Sequence, residues 1–221
     1  MSSAKPESKK AQVRAENTRR IISAAEKVFA EKGFSGGTTQ EIADAAGLPK
    51  ANVHYYFPTK EGLYARVLDD ILEEWKSDAE IFDTSDDPEV VFRAYIRRKI
   101  EHSFTRPYAS KVWAMEIIGR GHVFEDQLKA SFLKWNRKKV SQLRKWIEQG
   151  RLAPVDPQHV MYAIWATTQH YADFEHQIRA VNNGKPLSRA QTEKAIESVI
   201  QLFLQGVMPR QESAPIRSWP E

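Results

Sequence analysis

Residues 38–57 read TTQEIADAAGLPKANVHYYF. Apolar side chains cluster on both sides of Gly47: Ile42, Ala43 and Ala46 before it, Leu48 and Val53 after it. Counted from Thr39, Ala43 is fifth, Gly47 ninth and Val53 fifteenth. Two short helices that cross steeply need this pattern. A small Ala43 lets them approach, Gly47 supplies the positive backbone angle of the turn, and Val53 pins the second helix to the first. Either Thr38 or Thr39 can cap the first helix. Lys50, Ala51, Asn52, His54 and Tyr55 are then left on or near the outward side of the second. A helix-turn-helix of this kind lays its second helix in the major groove of DNA. The same spacing also suits an ordinary helical hairpin, so the flanks bear on the choice.

Upstream, Ile21, Ile22, Ala25, Val28 and Phe29 recur at threes and fours, the mark of a helix with one apolar face, and Gly33 is its stop signal. Residues 1–17 read as a flexible basic arm. Lys5, Lys9, Lys10, Arg14, Arg19 and Arg20 face Glu7 and Glu16 across the first twenty residues. Residues 1–60 carry ten Lys or Arg against six Asp or Glu, whereas residues 61–221 carry equal numbers, so the excess charge lies in the first quarter. Such a distribution suits a polyanionic partner, because each neutralised phosphate releases counterions. It is equally what a solvated tail would show. Downstream, Pro58 and Thr59 close the motif, and Thr59 can cap a long helix through Leu63, Val67, Ile71 and Trp75.

The remainder reads as helix after helix. One opens at Asp87-Pro88 and another at Pro107; a long one covers 122–149; one runs from Asp156-Pro157 to about Val181; the last covers 188–206. No segment alternates with period two and no repeat is visible, so the fold class is all-α. With 41% hydrophobic and 28% charged residues, wholesale disorder and fibrous structure are excluded. The absence of cysteine excludes disulfides, thiolate nucleophiles and cysteine zinc sites. No two of the six histidines stand four apart with a carboxylate between them, and Gly119-x-Gly121 lacks a third glycine and a preceding strand, so neither a metal, a phosphate loop nor any cofactor is expected. The polar first twenty residues argue against a secretory signal, and no apolar run approaches the ~20 residues of a membrane span, so a soluble cytoplasmic protein without membrane contact is expected.

Residues 18–64, and above all GFSGGTTQEIADAAGLPKANVHYYFPTKEGLY from Gly33 to Tyr64, resemble the DNA-binding domain of the TetR family of bacterial regulators. The resemblance implies a homodimeric repressor on a pseudo-palindromic double-stranded operator. It implies a reading head at 18–64, a ligand-binding and dimerisation domain at 65–210, and a tail at 211–221. Carried over by position, it assigns DNA contacts to Thr39, Lys50, Asn52, His54, Tyr55, Tyr56 and Lys60, with Tyr56 and Lys60 on phosphate and Lys50, Asn52, His54 and Tyr55 towards bases. Pro49 departs from the pattern, which usually has a capping Ser or Thr there.

Residues 152–174, LAPVDPQHVMYAIWATTQHYADF, are similar to the corresponding helix of regulators of pyrimidine utilisation, which respond to uracil and thymine. Trp165 and Gln169 lie four apart and hence on one helix face. A glutamine amide presents a donor beside an acceptor, the complement of a pyrimidine edge, and an indole offers a flat apolar wall. The resemblance adds Trp75 to them. Two other readings stay open at this point: the same regulator with an unrelated effector, and an all-α enzyme with an idle basic tail. For assembly, the apolar faces bearing Val160, Ile164, Ile196, Val199, Ile200 and Phe203 are expected to meet their two-fold mates in a four-helix interface, with part of each face covering its own domain's core.

Overall fold

The computed structural model describes residues 9–209 of the chain. Its regular elements are all helical, as the periodicity predicts. In order they are α1 (Lys9–Gly36), α2 (Thr39–Ala46), α3 (Lys50–Tyr56), α4 (Lys60–Asp78), α5 (Ile81–Thr84), α6 (Pro88–Thr105) and α7 (Pro107–Ile118). A π-helical turn (Phe124–Leu128) follows, then α8 (Lys129–Glu148), α9 (Pro157–Asp173), α10 (Glu175–Val181) and α11 (Arg189–Val207). The chain divides into two compact units. Unit 1 takes the residues up to Trp75 together with Thr105–Phe132; unit 2 takes Lys76–Phe104 and the residues from Leu133 onward.

Unit 1 is built on the apolar face foreseen for α1. Ile21, Ala25 and Phe29 are fully buried against Ile42 and Ala43 of α2, Val53 of α3 and Leu63, Val67 and Ile71 of α4. Tyr64 packs edge-on against Phe29 at 5.0 Å, and its ring lies 4.9 Å from that of Phe34. Gly33 departs from helical geometry with φ of 70°, a left-handed angle that glycine adopts without strain, and so ends the straight run of α1. Arg106, just before α7, forms ion pairs with both Glu26 of α1 and Glu74 of α4. Burial raises the pKa of Glu26 although Arg106 pulls it the other way. The buried Glu116 carboxylate accepts from the Tyr64 hydroxyl (3.1 Å) and from the backbone N–H of Phe124 (2.9 Å). It thereby takes up a free donor at the start of the π-helical turn.

Unit 2 has its own core: Phe92, Tyr95 and Ile96 of α6, Leu143 and Trp146 of α8, Met161 and Ile164 of α9, and Ile196 and Ile200 of α11. Phe82 stacks on Trp146 at 6.1 Å. Lys139 is almost wholly buried beside it, its ammonium 3.1 Å from the Asp83 carboxylate, and desolvation lowers its pKa.

Four expectations change. Of the segment read as a flexible arm, residues 9–17 are helical, because Lys, Ala, Gln, Arg and Glu propagate a helix outward from the apolar turns that begin at Ile21. Residues 1–8 and the tail from residue 210 lie outside the described residues. The helix expected over 122–149 opens with the π-helical turn. The helix expected up to Val181 breaks at Phe174, where φ is −111° and ψ 27°, giving α9 and α10. The apolar residues expected to be shared between a two-fold interface and their own core go to the core of unit 2: Ile164 and Ile196 are 0% exposed, Ile200 1%, and Val160 and Val199 at most 8%. Phe203 is half-buried against the same core.

Candidate DNA-reading and effector sites

The helix-turn-helix is held at each joint by an identifiable device. Thr38 caps α2: its hydroxyl accepts from the Glu41 N–H (3.2 Å), and the Glu41 carboxylate accepts from the Thr38 N–H (3.0 Å). Lys32 also pairs with Glu41, and its hydrogen bond, with those of Thr38, holds that carboxyl at about 2. Gly47 takes φ of 61° at the turn. Arg20 donates to the carbonyls of Ala46 (2.7 Å) and Gly47 (3.2 Å), closing the C-terminus of α2. Pro49 precedes α3 without any side-chain cap, as its missing hydroxyl requires.

The seven-residue α3 buries Val53, half-buries Tyr56 and turns the rest outward. Lys50, Ala51, Asn52, His54 and Tyr55 are all exposed, Tyr55 by 71%. A short helix that spends one side chain on its anchor leaves a continuous polar and aromatic face, which is what reading base edges demands. Tyr56 is half-buried, its ring edge-on to Tyr55 at 5.3 Å, and its hydroxyl accepts from Asn17 Nδ2 (3.2 Å). Thr39 is half-buried at the first position of α2. Lys60 is directed inward: its ammonium donates to the carbonyls of Phe34 (2.8 Å) and Gly37 (3.2 Å) and sits 4.5 Å above the Phe34 ring.

The residues assigned to a ligand fall in both units. Trp75, in unit 1, packs edge-on against Trp113 at 5.1 Å. Trp165 and Gln169, in unit 2, are both half-buried and one turn apart on α9. Trp165 stacks on Trp135 at 6.1 Å with 22° between the rings, and Tyr162 flanks it at 5.7 Å. Its side chain also shares a hydrogen bond with the fully buried Tyr95, whose hydroxyl pKa is raised by desolvation. Trp135 and Tyr95 were not foreseen beside this site. They lie 30 and 70 positions away in sequence, and no local pattern announces them.

Among the described residues no helix is long and apolar enough to cross a membrane. The family described as "Bacterial regulatory proteins, tetR family" matches residues 21–67, and "YcdC-like protein, C-terminal region" matches residues 68–210.

The chain belongs to the TetR family.

This TetR-family protein is a DNA-binding transcriptional regulator and not an enzyme. It is 37% identical over 190 residues to the HTH-type transcriptional regulator RutR of Escherichia coli (strain K12), covering 86% of this chain and 90% of that one. The HTH-type transcriptional repressor NicS of Pseudomonas putida is 29% identical over 102 residues, covering 46% of this chain and 48% of that one. Among solved structures, the ketosteroid transcriptional regulator KstR2 of Mycobacterium tuberculosis aligns with a TM-score of 0.68 at 20% identity, over 87% of this chain and 96% of that one. AibR, in complex with isovaleryl coenzyme A and operator DNA, aligns at 0.65 and 19% identity, over 84% and 97%. Likeness at those identities speaks for the fold.

Proposed function

We propose that this regulator is a cytoplasmic homodimeric repressor of a pseudo-palindromic operator, modulated by a small planar ligand of the pyrimidine class, uracil or thymine. Residues 18–64 act as the reading head and 65–210 as the ligand-binding and dimerisation domain. Thr39, Lys50, Asn52, His54 and Tyr55 meet the operator through α2 and α3, while Tyr56 and the remaining N–H of Lys60 meet phosphate. With Ile164, Ile196 and their neighbours committed to their own core, the two-fold contact falls to the outward faces of α9 and α11, where Tyr162 is 51% and Leu202 70% exposed.

One observation carries the ligand reading. The Trp165 ring is fixed by Trp135 on one side and by the Tyr95 hydrogen bond, and the Gln169 amide lies one turn further along the same helix. A pre-set aromatic wall beside a donor–acceptor amide suits a flat ring with a lactam edge. The likeness of residues 152–174 to regulators of pyrimidine utilisation supports the same class. A ligand acts on DNA binding only through its differential affinity for two states of the dimer. The ligand-bound state is the one whose two heads are wrongly spaced for the half-sites.

Uracil has eight heavy atoms, and small ligands gain at most about 1.5 kcal/mol per heavy atom, so micromolar affinity needs no extraordinary contact. Calorimetry with uracil and thymine is expected to show saturable heat. Gln169→Leu should cost far more than the area lost, because the ligand's polar edge would be buried without a partner. Trp165→Ala should weaken both bases alike, since stacking does not read the ring substituent; Trp75→Ala tests its own assignment separately. Absence of heat and of any melting shift with either base at millimolar concentration would remove the pyrimidine and leave the DNA reading intact.

A further inference from the structure

Lys10, Arg14 and Asn17 follow one another at i, i+4 and i+7 and so share one face of α1. Lys10 and Arg14 are exposed, and the whole run 9–16 is exposed, so these turns serve no core. The face leads to the recognition helix. The Arg14 guanidinium lies 6.0 Å from the centroid of the Tyr56 ring, and Asn17 Nδ2 donates to the Tyr56 hydroxyl at 3.2 Å. Glu16, the carboxylate nearest to Arg14 in sequence, is bound to Arg19 at 2.6 Å.

We infer that the first turns of α1 form a phosphate-binding ridge continuous with α3, and that Asn17 is a positioning residue that leaves the Tyr56 hydroxyl free to donate to a DNA phosphate. A phenol has one proton to give. When the amide N–H of Asn17 occupies its oxygen as acceptor, that proton is released for an outside acceptor, and a phosphate oxygen is the strong acceptor available on a duplex. Lys10 and Arg14 add two cations to the same ridge, Arg14 next to the phenol ring, with charge that suits the backbone rather than base edges. The inference deepens the assignment of Tyr56 to phosphate and rests on it.

Phosphate contacts do not depend on base sequence, so a mixed-sequence DNA duplex serves as the probe. Binding is measured by fluorescence anisotropy across a salt series. Each lost phosphate contact should lower the slope of log affinity against log salt by about 0.9 per bound protomer. Lys10→Ala and Arg14→Ala are expected to lower it, Arg14→Lys to keep it, and Lys185→Ala, which removes the same charge from unit 2, to leave it unchanged. Melting curves should match the wild type, since both side chains are exposed. Asn17→Asp makes the phenol donate inward, so it should weaken DNA several-fold with Tyr56 present and much less in a Tyr56→Phe background. Equal weakening in both backgrounds would reduce Asn17 to a charge effect and overturn its role. Unchanged slopes for Lys10→Ala and Arg14→Ala would overturn the ridge. A Tyr56→Phe protein indistinguishable from wild type, with the ridge variants still impaired, would strike the Tyr56 assignment instead.

Discussion

Lys60 shows how one side chain can serve the fold and a ligand together. Two of its ammonium N–H groups are spent on the carbonyls of Phe34, in the last turn of α1, and Gly37, in the loop that joins α1 to α2. Lys60→Met should therefore cost about 1 kcal/mol in urea unfolding, the usual worth of such bonds when partly solvated, and flatten the salt dependence of DNA binding as well. A variant that loses DNA and no stability would contradict the inward geometry. Asn52 and Tyr55 differ, because nothing buried depends on them. Asn52→Ala or Tyr55→Ala should leave melting unchanged and alter which sequences are preferred. Glu41 carries a pH dependence. Its carboxyl is depressed to about 2 from an ordinary 4.5, so its charged form favours the folded state. That contribution is complete above pH 4.5 and fades as pH falls towards 2. Acid titration of Glu41→Gln should show a smaller loss of stability across this window than the wild type; identical acid curves would show that the capping box contributes nothing through its charge.

Between α8 and α9, Asn136 donates to Gln158 Oε1 at 2.8 Å, leaving Asn136 Oδ1 and Gln158 Nε2 buried without a hydrogen-bond partner among the described residues. Asn136→Leu alone should cost about 1–3 kcal/mol, since it strands the whole Gln158 amide, and adding Gln158→Met should recover most of that. Urea unfolding that finds the pair no better than the single change would refute this account. Such helix-to-helix detail is where the sequence falls silent. The reading head was legible because Ala43, Gly47 and Val53 stand within fifteen positions and each answers a local steric demand. The face of α3 followed from Val53 being its one buried residue. The stack of Trp165 on Trp135 joins different helices, and no periodicity reports it. The apolar stripes of α9 and α11 were visible as stripes, but a stripe does not say whether it covers its own core or a second copy; burial gave Ile164, Ile196 and Ile200 to the core. The helical turns before Thr18 were missed because helix propensity without an apolar face looks the same as a charged tail.

For the whole molecule, self-association comes first. If the outward faces of α9 and α11 meet across a two-fold axis, Leu202→Glu should give a folded monomer in sedimentation at concentrations where the wild type is a dimer. A wild type that sediments as a monomer at micromolar concentration would end the dimeric model. Coupling between ligand and operator then obeys linkage. If uracil weakens operator binding by some factor, operator DNA must weaken uracil binding by the same factor, and regulators of this strength typically show 5–150-fold, or 1–3 kcal/mol. The operator can be recovered by selecting genomic fragments on the purified protein. Anisotropy with and without saturating uracil gives one arm, and calorimetry of uracil with and without operator gives the other. Gln169→Leu should lose uracil affinity and leave ligand-free DNA binding unchanged, whereas Asn52→Ala should weaken operator binding and keep the uracil heat. A factor of one in both arms, with uracil bound tightly, would mean equal affinity for the two states. A pyrimidine bound on those terms shifts nothing and is not the effector.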